Sequence, residues 1–126
     1  MSETIDPNYI SRRLVEIAEP VSISHLDILR GNFAGPGFRG ELLFVATKLR
    51  ECDDAEACKA YLQCDTHASS VFKIAMARTL HAHLDGRIDE QTYEKYAKAG
   101  QALGIEADLA LLHEPVPQRS QRVYSC

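Results

Sequence analysis

The side chains able to do chemistry fall in a few short local patterns. His81-Ala82-His83-Leu84-Asp85 spells H-x-H-x-D, a set of donor types that suits zinc or iron. On a helix, however, His81 and Asp85 share a face while His83 points away. No downstream ligand set completes the group, and Gly86 follows at once. A helix end accounts for the same residues, because His near a C-terminus interacts favourably with the helix dipole. Cys52, Cys58 and Cys64 are six apart. Zinc sites favour closer pairs such as C-x₂-C. On a continuous helix, six residues turn successive thiols by roughly 240°, so they do not share a face. The internal cysteines read as small buried apolar residues kept reduced. Gly35, Gly37 and Gly40 formally give G-x-G-x-x-G. Its nucleotide-binding form needs a strand before it and a helix after it. Here a helical pattern precedes it, and Pro36 removes an N–H that a pyrophosphate would use.

Nucleophilic catalysis needs a base and an orienting group beside the nucleophile. Ser69, Ser70 and Cys64 have no motif context, and Asp53-Asp54 and Asp89-Glu90 sit where helix caps are expected. The reading is therefore a non-catalytic protein with no catalytic, cofactor-binding or metal-ligating residue assigned and no cofactor.

Composition sets the frame for these side chains. The chain has 126 residues, which fits one domain, and it is 45% hydrophobic and 25% charged, which fits a globular chain. Its net charge is −4 with Lys and Arg scattered. Direct nucleic-acid binding calls for a basic face, so no nucleic-acid partner is expected. No apolar run approaches the roughly 20 residues of a membrane span, and the first residues lack the basic and apolar regions of a secretory signal. The expectation is a cytoplasmic protein with no membrane contact.

The elements that would position the side chains are helical throughout. Asp65 to Gly104 reads as two helices joined at Asp85-Gly86-Arg87-Ile88. Ala68, Phe72, Met76, Leu80 and Leu84 recur every fourth residue, flanked by Val71 and Ala75. Gly86 supplies a left-handed turn, Asp89 the next cap, and Ile88 with Tyr93 a hydrophobic staple. Tyr93, Tyr96, Ala97, Gly100 and Leu103 form the second arm's apolar side. This hairpin fails as a DNA-reading unit, because Lys95 and Lys98 are balanced by Glu90 and Glu94.

Around the hairpin, Asp6-Pro7 starts a helix carrying Ile10, Leu14, Ile17 and Ala18, closed by Pro20. A shorter segment carries Ile23, Leu26 and Leu29. Residues 31–40 read as a glycine-rich loop held down by Phe33 and Phe38. Glu41 to Arg50 is a helix, Asp53-Asp54 caps another, and Ile105 to His113 is a final one before Pro115 and Pro117. The fold class is all-α: a small helical bundle of about five to six helices with a central antiparallel helical hairpin. Residues 1–117 form a single helical domain and 118–126 a mobile C-terminal tail.

Leu42, Leu43, Phe44 and Val45 are consecutive, so they cover more than one side of their helix. Either that helix is central and surrounded, or one side of it meets another chain. The expected protein-binding residues are Phe33, Phe38, Leu42, Leu43 and Phe44. The function they imply is a regulatory protein that binds another protein through an apolar helical surface and forms a homodimer.

In size, helix content and overall appearance across the chain, the sequence resembles small helical bacterial antiactivators that bind LuxR-type quorum-sensing regulators. No motif carries the resemblance, so no residue role transfers from it. It implies a transcription factor as partner, sequestered by protein–protein contact. Two alternatives stand beside it: a metal- or ligand-responsive helical domain using His81, His83 or a cleft near the glycine-rich loop, and a small-molecule enzyme without a recognisable motif.

Overall fold

Aspartate starts most of the helices. Asp6 accepts a hydrogen bond from the Tyr9 N–H at 2.8 Å, Asp54 from Ala57 at 2.8 Å, Asp65 from Ala68 at 3.1 Å and Asp89 from Thr92 at 2.7 Å. Each carboxylate satisfies an amide that the first helical turn leaves without a carbonyl. In the computed structural model these caps open α1 (Pro7–Ile17), α3 (Ala55–Cys64), α4 (Thr66–Leu84) and α5 (Glu90–Ala102). The remaining helix, α2, spans Gly35–Arg50. The structure describes residues 5–17 and 35–112, with side chains from residue 40 onward in the second stretch. Among these residues the architecture is all-helical, with five α-helices and no strand. No helix among them is long and apolar enough to cross a membrane. The expected segment around Ile23–Leu29, residues 31–34 and the 118–126 tail lie outside the described residues.

The hairpin of α4 and α5 forms as its sequence indicates. Gly86 takes φ +78°. The Gly86 N–H donates to the His83 carbonyl at 3.1 Å and the Arg87 N–H to the Ala82 carbonyl at 2.9 Å, the pattern of a Schellman termination. The end of α5 repeats it: Gly104 has φ +74°, its N–H donates to the Gln101 carbonyl at 3.1 Å, and the Ile105 N–H reaches the Gly100 carbonyl at 2.8 Å.

The surrounded helix is α4. It packs against every other described element, and Ile74 through Thr79 are all buried. Its inner surface is accordingly not the single stripe the four-residue spacing suggests. Leu84 is 64% exposed. Steps of four overshoot a full turn by about 40°, so four steps from Ala68 rotate Leu84 roughly 160° away. Helix α2 is instead one-sided. Leu42, Val45, Ala46 and Leu49 are buried, while Thr47, Lys48 and Arg50 are exposed.

Two further elements depart from the sequence expectation. Residues 35–40 are the first turns of α2 rather than loop. A proline in the first turn costs no intrahelical bond, because that amide has no acceptor anyway. The expected final helix from Ile105 shrinks to a 3₁₀ turn, Leu109–Leu111, capped by Asp108. The Gly104 termination turns the chain away, and too few residues remain before Pro115 to repay helix nucleation.

Candidate functional site

The outward side of α2 is set by helical arithmetic. Leu42, Val45, Ala46 and Leu49 occupy the core side at i, i+3, i+4 and i+7. Leu43 and Phe44 then fall on flanking rows and are only half-buried. Thr47 and Arg50 continue the Leu43 row, and Lys48 continues that of Phe44. Thr47 Oγ1 donates back to the Leu43 carbonyl at 3.0 Å. The Lys48 ammonium sits 5.5 Å from the centroid of the Phe44 ring, within range of a cation–π contact. The result is a small apolar centre with a basic rim at the C-terminal half of α2.

Of the five residues singled out from the sequence, Leu43 and Phe44 share this surface. Leu42 is fully buried and supports it from beneath. Phe38 belongs to the first turns of α2, with its side chain outside the described residues, and Phe33 lies outside them altogether. The run of four apolar residues thus divides between core and surface.

The His81/His83/Asp85 pattern is dispersed by the corner that follows α4. The His83 imidazole stacks on the Tyr93 ring, with centroids 4.6 Å apart and planes 11° apart. Arg87 bridges the other two: Nη2 lies 3.4 Å from His81 Nδ1, and Nε lies 3.2 Å from Asp85 Oδ2. Among the described residues no group of three or more His, Cys, Asp or Glu side chains could hold a metal ion. Separately, a groove of about 580 Å³ runs between α3, the start of α4 and the turn after α5. Lys59, Lys73, Ser69 and Ser70 rim it above Leu62 and Leu103.

Three polar arrangements escaped sequence reasoning. Glu41 on α2 meets His67 on α4, with Oε1 to Nε2 at 3.2 Å and both side chains almost fully buried. Glu41 stood only as the first residue of an expected helix, and no spacing signal links residues 26 apart. On α1, Arg13 is buried. Its guanidinium pairs with Glu16 at 2.9 Å and lies 4.8 Å from the Tyr9 ring centroid, while the Tyr9 hydroxyl donates to the Lys95 carbonyl at 2.9 Å. This seam ties α1 to α5. At the α3–α4 junction, the Tyr61 hydroxyl donates to Asp65 Oδ2 at 3.0 Å. Burial, then that carboxylate, pushes the Tyr61 phenol well above its ordinary range. Cys52 and Cys58 converge beside it.

No family model, no curated protein and no solved structure matches the chain.

Proposed function

We propose that this is a non-catalytic regulatory protein that binds another protein through the outer side of α2. The observation that supports the reading is the pair Leu43 and Phe44, left half-buried on a helix whose inner row already fills its share of the core. Full burial of a Leu or Phe from full exposure is worth about 1.5–3 kcal/mol, so completing a half-burial is worth about half of that for each. Aromatic anchors with basic neighbours are typical of the energetic centre of protein interfaces. Thr47, Lys48 and Arg50 supply the polar rim. In this proposal the partner is a transcriptional regulator, as the resemblance to LuxR-directed antiactivators implies. Its sequestration lowers DNA binding without this chain touching DNA.

The test is photo-crosslinking from position 47 in the native cell, followed by mass spectrometry and by capture with Leu43→Glu and Phe44→Glu variants. A recurrent regulator that crosslinks from residue 47 and is lost from both variants, with helix content unchanged, supports the proposal. A partner captured equally by the parent and the variants would refute this surface. Sedimentation of the same proteins tests whether the surface also pairs two copies.

A further inference from the structure

We propose that Cys52 and Cys58 form a dithiol site of reversible oxidation, with Cys52 reacting first and Cys58 closing an intramolecular disulfide. The placement follows from how α2 ends. The Glu51 N–H donates to the Lys48 carbonyl at 3.2 Å and the Cys52 N–H to the Leu49 carbonyl at 3.1 Å. This last tight turn carries Cys52 Sγ to 3.6 Å from the Lys48 carbonyl. Asp54 then starts α3 in a new direction, and one turn later Cys58 Sγ comes to 3.4 Å from the Leu49 carbonyl. Two thiols six residues apart thus converge on neighbouring carbonyls at one helix end. On one continuous helix they would diverge.

Access to the two sulfurs differs. Cys58 is fully buried, whereas Cys52 is half-buried at the surface of the junction, and neither is in a disulfide. A small oxidant therefore meets Cys52 first, with Cys58 directly behind it. Burial, then the neighbouring Cys52, raises the Cys58 thiol to about 12, so Cys58 stays protonated at rest.

The chemistry balances with a peroxide as oxidant. Cys52 sulfur attacks the peroxide oxygen, an S–O bond forms, the O–O bond breaks, and water or an alcohol departs. Cys58 sulfur then attacks Cys52 sulfur, the S–S bond forms, and the S–O bond breaks with loss of a second water. The sulfurs lose two electrons in total and the peroxide gains them. A dithiol reductant reverses the step by thiol exchange. The disulfide would fasten the end of α2 to the first turn of α3.

The test uses the full reduced chain with hydrogen peroxide, thiol alkylation and tryptic mapping. Cleavage after Arg50 and Lys59 releases Glu51–Lys59 with both cysteines on one peptide. The expected product is that peptide unalkylated and two hydrogens lighter, restored to the doubly alkylated form by dithiothreitol. In Cys58→Ala, Cys52 should instead be trapped as a dimedone-reactive sulfenic acid. In Cys52→Ser, Cys58 should resist peroxide. Circular dichroism confirms that each variant is folded. Double alkylation after peroxide, pairing of Cys52 or Cys58 with Cys64 or Cys126, or a disulfide formed only after urea unfolding would each overturn the proposal.

Discussion

Gly100 and Gly40 both sit inside helices, and alanine should act on them with opposite signs. Alanine is the better helix former by about 1 kcal/mol at either site. At Gly40 a Cβ would meet nothing within 4 Å, so Gly40→Ala should stabilise the protein by about 0.5–1 kcal/mol. At Gly100 a Cβ would lie 2.8 Å from the Ile105 carbonyl oxygen and 2.9 Å from Met76 Sδ. The methionine can turn aside. The carbonyl is backbone, and it is held where it is because the Ile105 N–H donates to the Gly100 carbonyl at 2.8 Å. Relief therefore means moving the Gly104 termination, with an overpacking cost of about 1–3 kcal/mol and about 1 kcal/mol more if that hydrogen bond is lost. With that bond lost, subtracting the propensity gain leaves Gly100→Ala destabilised by about 1–3 kcal/mol. Urea unfolding followed by far-UV circular dichroism measures both variants against the parent, with an unchanged slope expected. A Gly100→Ala protein as stable as the parent would show that the close approach of α4, α5 and the turn is not tight.

Three further outcomes are expected. Gly86→Ala should cost about 1–2 kcal/mol although its Cβ meets nothing, because φ is +78° there; a neutral result in urea would mean that the corner relaxes freely. Glu41→Ala removes the buried carboxylate that faces His67 and should cost about 1–3 kcal/mol, with Glu41→Gln milder because it keeps an acceptor; a loss under about 0.5 kcal/mol would show that the contact contributes little. Alkaline pH should weaken the fold through Cys58, whose thiol is raised from 9.0 to about 12, first by burial. The unfolded chain loses that proton first, so the stabilisation is whole below pH 9.0 and is lost as pH rises toward about 12. Cys58→Ala should flatten that part of the stability profile, and curves parallel to the parent's would refute the assignment.

Fold class and most helix starts were legible because their determinants are local. An aspartate ahead of an apolar period reaches only three residues forward, as Asp6, Asp54, Asp65 and Asp89 do. Gly86 and Gly104 announce chain reversals through a conformation that other residues rarely take. The apolar run at 42–45 likewise carried its own geometry, since four consecutive positions cannot share one helix side. What remained hidden depended on which elements become neighbours. Periodicity shows how wide an apolar side is, and it does not show which helix is enclosed; packing made that helix α4 and left α2 with an outer surface. Leu84 looked internal by spacing, but cumulative helical rotation took it to solvent. Glu41 met His67 only because the middle of α2 packs against the start of α4. The cysteines were read as if on one helix, and the turn between α2 and α3 brought Cys52 to Cys58. Local hydrogen bonding and periodicity are written in neighbouring residues, whereas the pairing of distant side chains is decided by packing, in which every helix contributes a surface.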